Sequence, residues 1–305
     1  MNIFLPFFTA LFFAGSFIAG KYTTYDLGPL TTSFLRYVVA LIFLSFLIFY
    51  YKPKLLYIQK KHLILFSLLG ISGIVLYHYF FFSSLHYTSV TNTAILNAFI
   101  PILTGIGAAF FLKERLTKKN YVGVLLSFLG VLLLLTKGNL TVLLTLNFNF
   151  GDLLMLLAVL CSVFYTLLIK HLSKVYHSFT ITFYASLTGV FFLFFLSLFE
   201  GGITQLQTIS MTSFFSILYM GIFASGIGHL LFNMSIHKLG ATKTSSFVYT
   251  FVPVFVAILS FLFFEEILTL SMIGSIVLIV LGLHFLLPKK DAKDKKLLKK
   301  RDNFK

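Results

Sequence analysis

The side chains of this chain that could do chemistry are few, and they fall at helical spacing. Thr93, Asn97, Pro101 and Thr104 recur every three or four residues, which places them on one face of a helix. Ser245, Tyr249 and Pro253 stand at the positions matching Thr93, Asn97 and Pro101, 152 residues further on. A second matched stripe pairs Gly73, Tyr77 and Phe81 with Ser225, His229 and Asn233, and His78 lies one step round the helix. Amides, hydroxyls and aromatic rings in this pattern exchange hydrogen bonds and stack on planar groups, and a histidine can carry a proton near neutral pH. That is the chemistry of binding and passage. An enzyme using His78 and His86 or His229 as acid and base would lack a nearby carboxylate, nucleophile or metal-ligand cluster. No catalytic residue, no metal site and no cofactor is expected.

Each of these residues also has a structural reading. A proline deletes a backbone donor, so Pro101 and Pro253 either kink a helix for packing or expose carbonyls that a ligand can use. Asn97 and Tyr249 line a cavity or bond between helices, with the matched stripe favouring the cavity. His78 and His229 are functional groups or satisfied packing residues. Arg36 is the only clear charge well inside an apolar run, about 9 Å from its end at 1.5 Å per residue. It either snorkels to the interface or faces inward, where it would attract a carboxylate or phosphate. Phe13, Phe17 and Tyr165, with Ser16, complete the candidates as aromatic lining.

The elements that must position these groups are membrane spans. With 58% hydrophobic and 11% charged residues, against roughly 25% charge in a soluble domain, the chain cannot cover a water-facing surface. Apolar runs of about 20 residues, enough to cross a bilayer core, lie at 3–21, 30–50, 63–84, 91–112, 119–136, 152–171, 180–199, 212–234, 242–264 and 270–287. An all-α integral membrane protein of ten spans is predicted. Trp is absent and Phe numbers 40, so an interfacial aromatic belt falls to Tyr50, Tyr51 and Tyr57. The single Cys161 excludes an intramolecular disulfide framework and any multi-cysteine metal site.

The net charge of +15 does not point to nucleic acid, because of where the cations sit. With the N-terminus in the cytoplasm, Lys52, Lys54, Lys60, Lys61, Lys113, Arg115, Lys118, Lys119, Lys170, Lys174, Lys238, Lys243 and the basic tail all fall inside. Only Lys21 and Lys137 fall outside. This bias is the positive-inside rule, and it predicts a cytoplasmic-membrane protein with both termini cytoplasmic. The tail at 289–305 reads as a solvated topology anchor rather than a lipid-recognition element, and the first run as a span rather than a cleaved signal.

Two stretches repeat each other. NAFIPILTGIGAAFFLKERLT around Pro101 matches YTFVPVFVAILSFLFFEEILT around Pro253. Phe99, Phe111, Glu114, Leu116, Thr117, Leu129 and Gly130 recur as Phe251, Phe263, Glu266, Leu268, Thr269, Leu281 and Gly282. The chain therefore divides into a first repeat at 3–137 and a second at 151–288, five spans each. Five is odd, so the second copy enters from the opposite side. The repeated Glu agrees, lying in KER at a basic end of the fourth span and in EEI, stripped of basic residues, at the end of the ninth. Inverted repeats around a midplane site are the architecture of secondary transporters, whose halves exchange conformations.

The ten-span pattern, the paired Pro…Glu-x-Leu-Thr ends, the Gly-x-Leu closings of spans five and ten, and the opening FFAGSFIAGKYTTYDLGPLTTSFLRY resemble the EamA-type proteins of the drug/metabolite transporter superfamily. The resemblance covers Phe4 to Leu287. It implies a central cavity lined by spans one, three, four, six, eight and nine, with five and ten outside, and export or exchange of small metabolites, often amino acids.

GSFIAGKY at 15–22 nearly spells a phosphate loop, but it has Tyr where the magnesium-binding hydroxyl belongs and no preceding strand. ATP is not the expected driving force. Asn139-Leu-Thr141 fits a glycosylation acceptor, a pattern common by chance. No Asp or Glu lies mid-span, which argues against the proton–drug exchange of small multidrug exporters of the same superfamily. Facilitated diffusion, exchange, or proton coupling through His78 remain. The expectation is a permease or exporter of amino acids by alternating access, with organic anions or nucleotide-linked metabolites as the alternative cargo and a channel as a distant one. Its partners are a small-molecule substrate and the bilayer, and a homodimer is left open.

Overall fold

The computed structural model describes residues 3–286 apart from 24, 52, 85–86, 88–95, 115–116, 137, 140, 142–148, 208 and 265–269. Helices occupy the apolar runs: α1 (Phe4–Thr23), α2 (Pro29–Tyr51), α3 (Lys60–Ser84), α4 (Ile100–Leu112) and α5 (Lys118–Leu135). They continue as α6 (Phe150–Leu172), α7 (Ser178–Phe199), α8 (Met211–Leu239), α9 (Ala241–Phe264) and α10 (Leu270–Leu286). Among the described residues there is no strand. By length and composition α2, α3, α6, α7 and α8 are able to cross a membrane, and α1, α4 and α10 carry shorter apolar stretches. Thr93, His86 and the basic tail lie outside the described residues.

Two helices are irregular in the same place. α3 widens to a π-helix over Gly70–Leu76, and α8 does so over Met220–Gly228. Glycine lets neighbours approach there. A Cβ on Gly70 would lie 2.6 Å from the Gly189 backbone nitrogen of α7, and one on Gly221 would lie 2.8 Å from the Arg36 carbonyl of α2. Residues 36 and 188 are themselves repeat mates at the 152-residue spacing. One packing arrangement therefore occurs in both halves.

Helix starts are closed by side chains that satisfy the orphan N–H groups of the first turn. α5 and α6 use capping boxes, Thr117 with Asn120 and Asn149 with Asp152. Two starts are capped from a distance. The Glu200 carboxylate accepts from the Leu30 and Thr31 amides of α2 at 3.1 and 2.7 Å and from the Thr31 hydroxyl at 2.8 Å. Glu114 accepts from the Ala241 amide of α9 at 2.9 Å and the Thr242 hydroxyl at 3.1 Å. It lies against Gly240, whose φ of +95° is reserved for glycine.

Contacts between connections also occur twice. At the start of α2, the α1–α2 turn binds the α7–α8 connection. Gln205 Oε1 accepts from the Gly28 amide at 2.8 Å, and Asp26 accepts from the Ser210 amide at 3.1 Å and from the Ser210 and Ser213 hydroxyls. At the other end of α2, the α2–α3 connection binds the α6–α7 region. The Tyr176 hydroxyl takes the Gln59 amide at 3.0 Å and pairs with His62 at 2.7 Å, while Thr180 and Tyr184 donate to the Leu55 and Leu56 carbonyls. To one side, α5 and α10 cross at the glycines that the repeat matched. A Cβ on Gly130 would meet the Ile279 nitrogen at 3.0 Å, and one on Gly282 the Ser127 nitrogen at 2.5 Å, so small residues let the two backbones touch.

Candidate functional site

The π-segments aim the aromatic and imidazole groups. In each half, the histidine at or just past the widened turn donates its Nδ1–H to a carbonyl within it. His78 reaches Ile74 O at 2.8 Å and His229 reaches Ala224 O at 3.1 Å. In the neutral rings that leaves Nε2 as the acceptor. His229 Nε2 stands 3.4 Å from the Tyr37 hydroxyl, and the Tyr37 ring lies edge-on to both histidines at 5.6 and 5.9 Å. Phe13 and Tyr165 approach His229 at 4.9 and 6.4 Å. These two are repeat mates, and Tyr165 lies on Gly73, where a Cβ would stand 2.2 Å from its ring. Tyr77 continues the cluster by stacking on Phe81 at 6.0 Å, and Phe17 meets Phe81 edge-on at 5.9 Å.

Arg36 belongs to this cluster and does not reach outward. It is 5% exposed, so the interface reading falls away: the helix face carrying it is turned toward α8. Its Nε donates to the Ser225 hydroxyl in the α8 π-segment at 2.9 Å, and its guanidinium carbon lies 5.6 Å from the Tyr37 ring centroid. The described carboxylates are committed elsewhere. The carboxylates of Asp26, Glu114, Asp152 and Glu200 each accept from a backbone amide at a helix start.

The second stripe is less coherent. Tyr249 bonds the Ser162 hydroxyl of α6 at 3.1 Å and lies edge-on to Phe232 at 6.3 Å, so it faces the α6–α8–α9 junction. Asn233 turns its amide nitrogen to Thr182 of α7 at 2.8 Å. The oxygens of Asn97, Thr104, Asn233 and Ser245 are buried without a partner among the described residues. Pro253 lies inside α9, half-buried. Pro101 is buried in the first turn of α4, behind a break at Ala98–Phe99, rather than inside a continuous span. A proline fits a first turn, where its missing N–H would have had no partner within the helix. Pro253, inside α9, removes the N–H that would have bonded the Tyr249 carbonyl four residues back.

Tyr37 and the π-segments were not singled out from the sequence. Their signals were the tyrosine beside the sole intramembrane arginine and the glycine pairs Gly70/Gly73 and Gly226/Gly228 in otherwise apolar runs.

The EamA-like transporter family model matches residues 1–136 and again 149–287. The chain belongs to this family. It is 33% identical over 274 residues to YyaM of Bacillus subtilis (strain 168), named an uncharacterized transporter, covering 90% of this chain and 89% of YyaM. A protein of Archaeoglobus fulgidus, also named an uncharacterized transporter, is 30% identical over 85% of this chain and 87% of its own length. A WAT1-related protein of Arabidopsis thaliana is 30% identical over 75% of this chain and 69% of its own. A crystal structure 15% identical in sequence shares the fold, with a TM-score of 0.76 over 92% of this chain and 94% of the other. This EamA protein is thus a multi-pass, all-helical membrane transporter of small molecules in the drug/metabolite transporter superfamily. YyaM and the Archaeoglobus fulgidus protein are both named as uncharacterized transporters.

Proposed function

We propose that this chain is a cytoplasmic-membrane permease that exports small metabolites, amino acids first among them, by alternating access of two inverted five-span repeats. Both termini are cytoplasmic, so Glu114 and Tyr176 mark the inner face and Asp26 and Glu200 the outer. The observation that carries this reading is the recurrence of one device in both halves, a π-widened helix followed by a histidine that meets the Tyr37 ring, with the repeat mates Phe13 and Tyr165 both against His229. A site built from both copies can be opened by either. The paired contacts between connections, one set at each end of α2, support it. They are the surfaces that would part in turn.

The substrate touches Phe13, Tyr77, His78, Tyr165 and His229, with Asn97, Tyr249 and the carbonyl freed by Pro253. The test is counterflow of labelled amino acids in liposomes containing the purified protein, with and without a pH gradient. Saturable exchange supports a carrier, and gradient dependence would bring in His78. Flux that never saturates, without counterflow, would make it a channel. A second reading, transport of organic anions or nucleotide-linked metabolites, is favoured by the buried Arg36.

A further inference from the structure

We propose that Arg36 is the carboxylate-binding group of this site and that the cargo is a small molecule bearing a carboxylate, a proposal that rests on the transporter reading above. Only 5% of Arg36 is exposed. A buried cation without a counter-ion is costly. No carboxylate answers it among the described residues. Asp26, Glu114, Asp152 and Glu200 each bond a helix start, as set out above. Ser225 takes only Nε, through a neutral hydroxyl, at 2.9 Å. Arginine presents its remaining N–H groups as a planar fork that fits the two oxygens of a carboxylate. Ser225, from α8, and the neighbouring Tyr37 ring hold that fork in orientation. The surrounding faces of Phe13, Tyr165 and His229 would then hold the carbon skeleton.

The position is asymmetric, which separates it from the duplicated scaffold. The repeat mate of Arg36 is Thr188, whose hydroxyl is used up on the Phe66, Tyr184 and Ala185 carbonyls. The mate of Ser225 is Gly73. Only one of the two equivalent places carries charge, as a ligand with a single anionic group requires.

The experiment uses the full chain in liposomes and measures counterflow with matched probes: phenylalanine against phenylalaninamide, leucine against leucinamide, and phenylacetate against phenylacetamide. The acids are expected to exchange and their amides to lose at least about 30-fold in apparent affinity, the range of a charge-assisted bidentate contact. Arg36→Gln should remove that preference. Arg36→Lys, which keeps the charge and loses the fork, should weaken the acids by about tenfold. The acid–amide comparison on the unmutated protein needs no variant to fold. Exchange of phenylalanine without phenylacetate would make the cargo an amino acid, and exchange of both a wider carboxylate class; either supports the subsite. Amides carried as well as acids would overturn it and leave the carrier reading standing. Silence for every probe, with the protein correctly inserted, would overturn the carrier reading and the subsite together.

Discussion

The π-segment of α3 and the π-segment of α8 are the same piece of architecture with different contents. Each is glycine-bearing, each packs tightly on a neighbouring helix, α7 in one case and α2 in the other, and each is joined to a histidine through Nδ1. Across from the first stands Thr188, its hydroxyl closed on backbone carbonyls; across from the second stands Arg36, bonded to Ser225 and set against the Tyr37 ring, with no carboxylate partner among the described residues. Both halves keep the glycines that close packing needs. Charge was placed once. Packing is therefore expected to be equally fragile in both halves, and transport chemistry to be concentrated in one.

The largest effect should come from filling the glycines. Gly70→Ala would press a Cβ to 2.6 Å from the Gly189 nitrogen, and Gly221→Ala would press one to 2.5 Å from Val39 and 2.8 Å from the Arg36 carbonyl. Backbone cannot yield as a side chain can. Both variants should lose about 3 kcal/mol or more, read as a fall in melting temperature in detergent. If one half tolerates the change and the other does not, the scaffold is not equivalent.

The next effect tests the asymmetry. Arg36→Gln should cut carboxylate transport by about 30-fold or more, whereas Thr188→Val should leave transport within about twofold while lowering stability by about 1 kcal/mol. Equal losses of transport in both would mean that charge is not what distinguishes the halves.

The distant caps should matter less. Glu200→Gln and Glu114→Gln each weaken the closure of a helix start, at about 0.5–2 kcal/mol. Thermal unfolding should show a similar cost at the two ends; a cost at one end alone would break the equivalence of the contacts.

The smallest effect is at Asp26. The Ser210 hydroxyl, then Ser213 and the Ser210 amide, hold its carboxyl below the ordinary 3.8. A depressed folded-state value contributes stability that is present above the ordinary value and lost as pH falls through the folded one. Asp26→Asn should flatten the stability profile only below about pH 4. A change at neutral pH in the slope of that profile would contradict it.

Much of the fold was legible because apolar length and a repeated motif are strong signals. The proline–glutamate ends and Gly130/Gly282 marked the repeat, and those glycines do form the α5–α10 crossing. The stripes were legible in part. Tyr77, Phe81, His78 and His229 converge because helical spacing is a local property. Asn233 shares their stripe yet bonds α7, since spacing fixes a face of a helix and not which neighbour that face meets. Arg36 could not be assigned an inward direction, because snorkelling and burial share one sequence. The π-widening was hidden for a related reason: glycines permit a close approach and do not name its partner.

Alternating access is tested most directly by distances at both ends of one molecule. In a Cys161→Ser background, spin labels at the exposed pairs Tyr25 with Met211 and Tyr57 with Val175 would report the two sets of contacting connections in lipid. On adding the substrate that counterflow identifies, one distance should lengthen as the other shortens. Both ends opening together, or neither moving while substrate is exchanged, would contradict it.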